Sequence, residues 1–214
     1  MQLSMRGLVP AHLVQQLAGR PSQVWNADVT LPSGACVFVQ APSGRGKTTL
    51  IHMLYGLRGG YSGTISFGDR NMEQLPDDQL SALRARQLSV IFQDMRLFPS
   101  LTAFENIEVK RALTNSVTTE EVLTWLAQLG IADKAYAQAA TLSFGEQQRL
   151  AIIRALVQPF SWLLMDEPFS HLDIANRKLA IDLIKNVAHR HNAGIFLTDL
   201  DANDYFPYTH TFLM

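Results

Sequence analysis

The sequence is poor in cysteine, with one residue, Cys36, in 214. A lone cysteine excludes an internal disulfide framework and suits a reducing compartment. Long apolar runs are missing as well. A helix that crosses a bilayer needs about 18 to 20 apolar residues, and the best stretch, Leu150 to Met165, is interrupted by Arg154 and Gln158. Met1 to Pro10 holds no apolar run of the kind that directs export. A cytosolic chain is therefore expected, one that reaches a membrane only through a partner. An excess of either charge is also absent, since 18 Lys and Arg face 19 Asp and Glu for a net charge of -1. That balance gives no general electrostatic reason to seek nucleic acid, and no such partner is expected. With 47% hydrophobic and 17% charged residues, the composition is that of a folded chain rather than a disordered one. Its length is enough to bury a sizeable core.

Five short runs rich in Val, Ile, Leu and Phe read as buried strands: Ala35 to Val39, Thr64 to Phe67, Leu88 to Phe92, Trp162 to Met165 and Gly194 to Leu197. Helical patterns lie between several of them, at Lys47 to Leu57, Thr119 to Leu129, Ser143 to Val157 and Asn176 to His191. This alternation predicts an α/β sheet with helical crossovers. Residues 94 to 142 depart from it, with helix and loop but no convincing strand, and read as a helical subdomain inserted in the core of a single domain, 1–214. The first 24 residues contain no Phe, Tyr or Trp and are punctuated by Pro10, Gly19 and Pro21. An antiparallel β edge is expected there.

Ala41-Pro42-Ser43-Gly44-Arg45-Gly46-Lys47-Thr48-Thr49 follows the first of these strands and opens a helix. A Gly-rich turn in that setting lets successive backbone N–H groups converge on phosphates at a helix N-terminus. Lys47 is placed to reach the β and γ phosphates, and the Thr48 hydroxyl to bind Mg²⁺. The P-loop pattern has Gly where Ala41 stands, so Ala41 must manage without a positive φ. Further on, Trp162-Leu-Leu-Met-Asp166-Glu167 is an apolar strand ending in two carboxylates. Asp166 is the candidate for holding Mg²⁺, and Glu167 for activating a water beside the γ-phosphate.

Leu142-Ser143-Phe144-Gly145-Glu146-Gln147-Gln148-Arg149, shortly before Asp166, resembles the signature of ABC-transporter ATP-binding subunits. The resemblance spans residues 25 to 200. It implies a P-loop NTPase core (α/β, with a helical subdomain and an antiparallel N-terminal β region) that binds ATP and Mg²⁺ and hydrolyses ATP. Gln93 matches the glutamine that reaches Mg²⁺ and the attacking water, and Ser170-His171-Leu172-Asp173 matches the loop that crosses the dimer interface. Ser143, Gly145 and Glu146 would serve the nucleotide of a second ATP-binding subunit, identical or not, in a head-to-tail dimer. An integral membrane permease would be the further partner, holding the chain on the inner face of the cell membrane. The stretch around Gln93, including Phe98-Pro-Ser-Leu-Thr-Ala-Phe-Glu-Asn106, is similar to the ATPases of lipoprotein release, macrolide export and cell division. Methionine importers share much of it. Leu97, Phe98, Leu101 and Phe104 are expected to line a groove for a helix of the permease, or else to pack the helical subdomain.

Three departures bear on activity. Phe144 and Glu146 replace a glycine and a glutamine of the signature, adding bulk and negative charge near the opposing phosphate. Asp199 stands where the family has a histidine after the last core strand. No aromatic residue precedes Trp25, which leaves Trp25 as a base platform or as core. Two other readings remain: a soluble ABC ATPase of translation or DNA repair, which would carry two cassettes or a long coiled coil, and a degenerate cassette that binds ATP only to hold a complex together.

Overall fold

The computed structural model describes residues 1–214 and contains two sheets. Strands β1 (Leu3–Pro10) and β2 (Asp28–Leu31) pair antiparallel, with a short helix α1 (Val14–Leu17) between them. Strand β3 (Cys36–Gln40) then leads into α2 (Lys47–Leu54). Next come β4 (Tyr61–Phe67), β5 (Arg70–Asn71), α3 (Asp77–Arg86) and β6 (Leu88–Ile91). Helices α4 (Ala103–Arg111), α5 (Thr119–Gln128) and α6 (Phe144–Leu156) follow without an intervening strand. The chain closes with β7 (Trp162–Asp166), α7 (Ile174–His191), β8 (Gly194–Asp199) and β9 (His210–Leu213).

The parallel sheet has the order β6-β7-β8-β3-β9, and the antiparallel one β2-β1-β4-β5. Both faces of the parallel sheet are covered, which is why its strands read as unbroken apolar runs. Along β7 the side chains alternate. Trp162 and Leu164 join the core shared with α2 and the antiparallel sheet, while Leu163 and Met165 join the core formed with α4 to α7. Strand β7, which ends at Asp166, thus lies between two cores.

Three expectations need correction. The Thr64–Phe67 run belongs to β4 and the antiparallel sheet, not to the α/β sheet. The N-terminal strand is no edge, because β1 lies between β2 and β4. Its path is irregular: the register shifts between Arg6 and Val9. Opposite this shift Gly63 has φ +89°, and a Cβ there would fall 2.3 Å from the Arg6 carbonyl oxygen. Helix α2 stops at Leu54 rather than Leu57, because Gly56 turns left-handed at φ +70°.

Three helices of the second core start on the same device. Thr102, Thr118 and Ser143 each accept a hydrogen bond from the backbone N–H three residues on, and Glu105, Glu121 and Glu146 in turn accept one from the N–H of the cap.

Candidate active site

The loop from Ala41 to Gly46 connects the end of β3 to the start of α2. Ala41 is fully buried and is not among the residues with positive φ, so alanine meets no strain in glycine's usual place. The left-handed positions fall on Gly44 (φ +76°) and Gly46 (φ +94°). At Gly46 a Cβ would also lie 2.8 Å from Leu13 Cδ1 and 3.0 Å from the Trp25 ring, so this loop packs too closely for a side chain. Trp25 is 4% exposed and donates its indole N–H to the Arg45 carbonyl at 3.1 Å. That makes it a buried brace for the loop, with no free face for a base.

Lys47, Thr48, Gln93, Asp166 and Glu167 converge. Lys47 Nζ donates to the carbonyls of Ala41 at 2.8 Å and Pro42 at 3.2 Å, and lies 3.2 Å from Glu167 Oε1. Gln93 Nε2 donates to Glu167 Oε2 at 3.2 Å. The Thr48 hydroxyl donates to Asp166 Oδ2 at 2.6 Å, which leaves its 3.4 Å approach to Gln93 Oε1 a secondary contact. From the other side Thr198 donates to Asp166 Oδ1 at 2.9 Å. Glu167 itself has φ +44°, a costly conformation for a residue with a Cβ. Its N–H is fixed by the Thr198 carbonyl at 3.0 Å. A cavity of about 300 Å³ opens onto this group, lined by Leu13, Ser43, Gly44, Gly46, Lys47, Thr48, Thr49, Gln93 and Glu167.

Ser143, Gly145 and Glu146 lie outside that cavity, at the start of α6. The Glu146 carboxylate accepts from the Ser143 N–H and hydroxyl, both at 2.8 Å, and these bonds hold it below the usual carboxylate range. Phe144 is 67% exposed, with its ring centroid 5.4 Å from that of His171. Asp199 accepts from the Leu200 N–H at 2.7 Å, and burial raises its pKa above the ordinary value.

Sequence reasoning missed Gln148, Thr198 and Leu13. Gln148 is buried and accepts the His171 N–H at 2.8 Å, and it donates to Ser170 Oγ at 3.3 Å, so it ties α6 to the loop after Glu167. Its signal was its place within the signature stretch. Thr198 is the one hydroxyl in an apolar strand. Leu13 left no signal.

The groove residues divide. Leu97 and Phe104 pack against the helical core, whereas Phe98 is 48% exposed. Phe98 borders a cavity of about 220 Å³ with Tyr55, Val90, Phe92, Arg96, Val109, Lys110 and Arg154.

The family model described as ABC transporter matches residues 24–170. Among curated proteins, the lipoprotein-releasing system ATP-binding protein LolD of Legionella pneumophila is 34% identical over 177 residues, 81% of this chain and 78% of that protein. The phosphonates import ATP-binding protein PhnC of Agrobacterium fabrum is 36% identical over 197 residues, 87% of this chain and 68% of that protein. The dimeric structure of the ABC transporter cassette MJ0796 covers 93% of this chain and 88% of its own with a TM-score of 0.79, and at 24% identity it speaks for the fold. The chain carries no helix long and apolar enough to cross a membrane. With the family model covering most of the chain and relatives at about a third identity along most of its length, the chain belongs to the ABC transporter family as one of its ATP-binding, ATP-hydrolysing subunits.

Proposed function

We propose that this subunit binds MgATP in the cavity at the start of α2, hydrolyses it with Glu167 as the base, and passes the resulting closure to a membrane permease. The observation that carries the reading is the convergence of Lys47, Gln93 and Glu167 with the Thr48–Asp166–Thr198 chain around one cavity. Residues 41 to 49 line the phosphates. Lys47 exchanges its carbonyl and Glu167 contacts for phosphate oxygens, which compete well for an ammonium. Thr48, Asp166 and Gln93 present hydroxyl, carboxylate and amide oxygens to one point, a donor set that suits a hard divalent cation. Mg²⁺ held there would neutralise charge that develops on the β and γ phosphates. Released from Lys47, Glu167 takes the proton of a water that Gln93 orients.

Ser143 and Gly145 do not line this cavity, which supports their use by the nucleotide of a second subunit in a head-to-tail dimer. ATP then favours the closed pair and hydrolysis releases it, a population shift. Residues 1–214 act as one ATP-binding domain whose helical part, about 94–142, meets the permease at the Phe98 groove on the cytoplasmic face. Named relatives include both a release system and an importer, so neither direction nor cargo is assigned.

The test is hydrolysis by the purified chain with Mg²⁺ and with chelator, alongside its mass in solution with ATP. Mg²⁺-dependent phosphate release and an ATP-dependent dimer are expected. Hydrolysis that survives the chelator, or a strict monomer at every ATP concentration, overturns the reading.

A further inference from the structure

Asp166 is 1% exposed, and each of its carboxylate oxygens accepts one hydroxyl. Thr48, in the first turn of α2, donates to Oδ2 at 2.6 Å, and Thr198 of β8 donates to Oδ1 at 2.9 Å. The two hydroxyls are not equivalent. Thr48 lines the phosphate cavity, whereas Thr198 is fully buried and forms no part of the cavity wall. Thr198 lies directly beside Asp166 in the β7–β8 pairing and beside Val39 in the β8–β3 pairing. Val39 has no polar side chain, and the Met165 carbonyl is the poorer acceptor for this hydroxyl at 3.4 Å. A β-branched side chain packed inside a sheet has little χ1 freedom, so the hydroxyl is committed to Asp166. The main chain of the same residue serves the other carboxylate. Its carbonyl accepts the Glu167 N–H at 3.0 Å, where the backbone turns left-handed at φ +44°.

We infer that Thr198 is the positioning residue of the metal site: its hydroxyl fixes the plane of the Asp166 carboxylate so that Oδ2, beside Thr48, is the oxygen offered to Mg²⁺. This rests on the proposed MgATP site and adds a residue that acts on it from outside the cavity. Without Thr198, Oδ1 would be a buried charged oxygen that has lost its donor, which is costly. The carboxylate would then turn about its Cβ–Cγ bond toward other donors. That freedom matters to a small cation that demands near-ideal octahedral geometry. Groups that hydrogen-bond a metal-binding side chain typically control about ten- to a hundredfold of the metal affinity.

The side chain and the main chain of Thr198 can be separated. Thr198→Val removes the hydroxyl but keeps the branched shape and the carbonyl, so the Glu167 N–H retains its acceptor. Lys47 and the phosphate loop make no bond to the Thr198 hydroxyl. The effect should therefore fall on metal affinity and spare the binding of metal-free nucleotide.

The experiment uses the purified chain with ADP, which is not hydrolysed. Mn²⁺ is the probe, a cation that favours the same oxygen donors as Mg²⁺, and its binding is followed by electron paramagnetic resonance. Calorimetry in EDTA gives the ADP affinity without metal. Thr198→Val should bind Mn²⁺ about ten- to a hundredfold more weakly than wild type, with metal-free ADP affinity unchanged. Its ATPase should need correspondingly more Mg²⁺ to reach half of its maximal rate. Thr198→Ser keeps the hydroxyl and should restore wild-type Mn²⁺ binding. Thr198→Cys, a weak donor of similar size, should fall between the Ser and Val variants, and it takes the place of the valine variant should that one not fold. Wild-type Mn²⁺ affinity in Thr198→Val, or equal losses in the Ser and Val variants, overturns the inference while leaving the MgATP site intact. Failure of the wild-type ADP complex to bind Mn²⁺ would instead sink the MgATP site itself.

Discussion

Arg154 of α6 donates to the carbonyls of Met95 and Arg96, tying the signature helix to the loop that carries Gln93. Both loop residues are left-handed, with φ of +57° and +49°, and each costs energy in that conformation. The arginine offsets this by satisfying two carbonyls that the irregular backbone leaves free. These two bonds link the loop after Gln93 directly to α6. Arg154→Gln should cost about 1.5 to 3 kcal/mol, the range for hydrogen bonds to a charged group. Amide exchange of residues 94 to 98 should rise before that of β6. Unchanged protection of the loop would show that the arginine does not hold it.

Lys47→Ala removes the one buried cation at the head of α2. ATP affinity by calorimetry should fall at least about a hundredfold, because the β and γ phosphates are left without their charge-assisted hydrogen bonds to the ammonium. Wild-type affinity would refute the phosphate-loop assignment.

Glu167→Gln keeps the shape of the side chain but cannot accept a proton as a carboxylate does. The variant should bind ATP and accumulate as a closed dimer on size exclusion, with hydrolysis reduced by at least about a hundredfold. Glu167 also pairs with Lys47 at 3.2 Å, so the amide frees the lysine and nucleotide binding should tighten slightly. Wild-type turnover in this variant would remove Glu167 from the mechanism.

How far the sequence reaches depends on which residues carry a pattern. The P-loop, β7 and its two carboxylates are legible because buried parallel strands are uninterrupted and phosphate chemistry needs fixed spacings. Strand β4 is misplaced by the same reasoning, because an apolar run looks the same in either sheet. Strand β9 escapes it, since His210, Thr211, Phe212 and Leu213 form an edge strand with alternating partial burial and no strong apolar signal. Helix α3 escapes for a similar reason: only Leu83 of its ten residues is buried. Within the site, Leu13 and Trp25 act through contacts made across the fold with the Arg45–Gly46 turn, at sequence separations that no local pattern encodes.

Stability should report on Lys110, whose pKa burial and the Arg154 charge push down to about 7. Below about pH 7 its ammonium is charged both folded and unfolded, and the cost of its partial burial is present. Between pH 7 and about 10 the unfolded chain holds the proton that the folded chain has lost, so stability rises with pH. The slope from this group is at most about 1.4 kcal/mol per unit. Comparing wild type with Lys110→Met isolates it: the variant should be more stable at pH 7, with the difference shrinking by pH 9.5. A constant difference across that range would place the ammonium in water.

Asp199 ends β8 beside Gln40 of β3, and its carbonyl accepts the N–H of Ala41, the first residue of the phosphate loop, at 3.1 Å. The family's histidine at this place would donate a hydrogen bond to the γ-phosphate. A carboxylate can only accept unless protonated. Two like charges about 4 Å apart at an effective dielectric near 20 repel by roughly 4 kcal/mol. Borne wholly by the transition state, that is about three powers of ten in rate. Two features reduce it. Asp199 turns to the Leu200 N–H at 2.7 Å, and burial raises its pKa and so favours the neutral acid. Basal ATPase should therefore be slow but measurable, with ATP affinity near normal because the phosphate loop is intact. Asp199→His should raise kcat by about ten- to a thousandfold and change KM by less than about threefold. Asp199→Asn, a neutral donor without the charge, should recover part of that gain. Steady-state kinetics on the three proteins decides it, and fast wild-type turnover with no gain in either variant would show that Asp199 does not face the γ-phosphate.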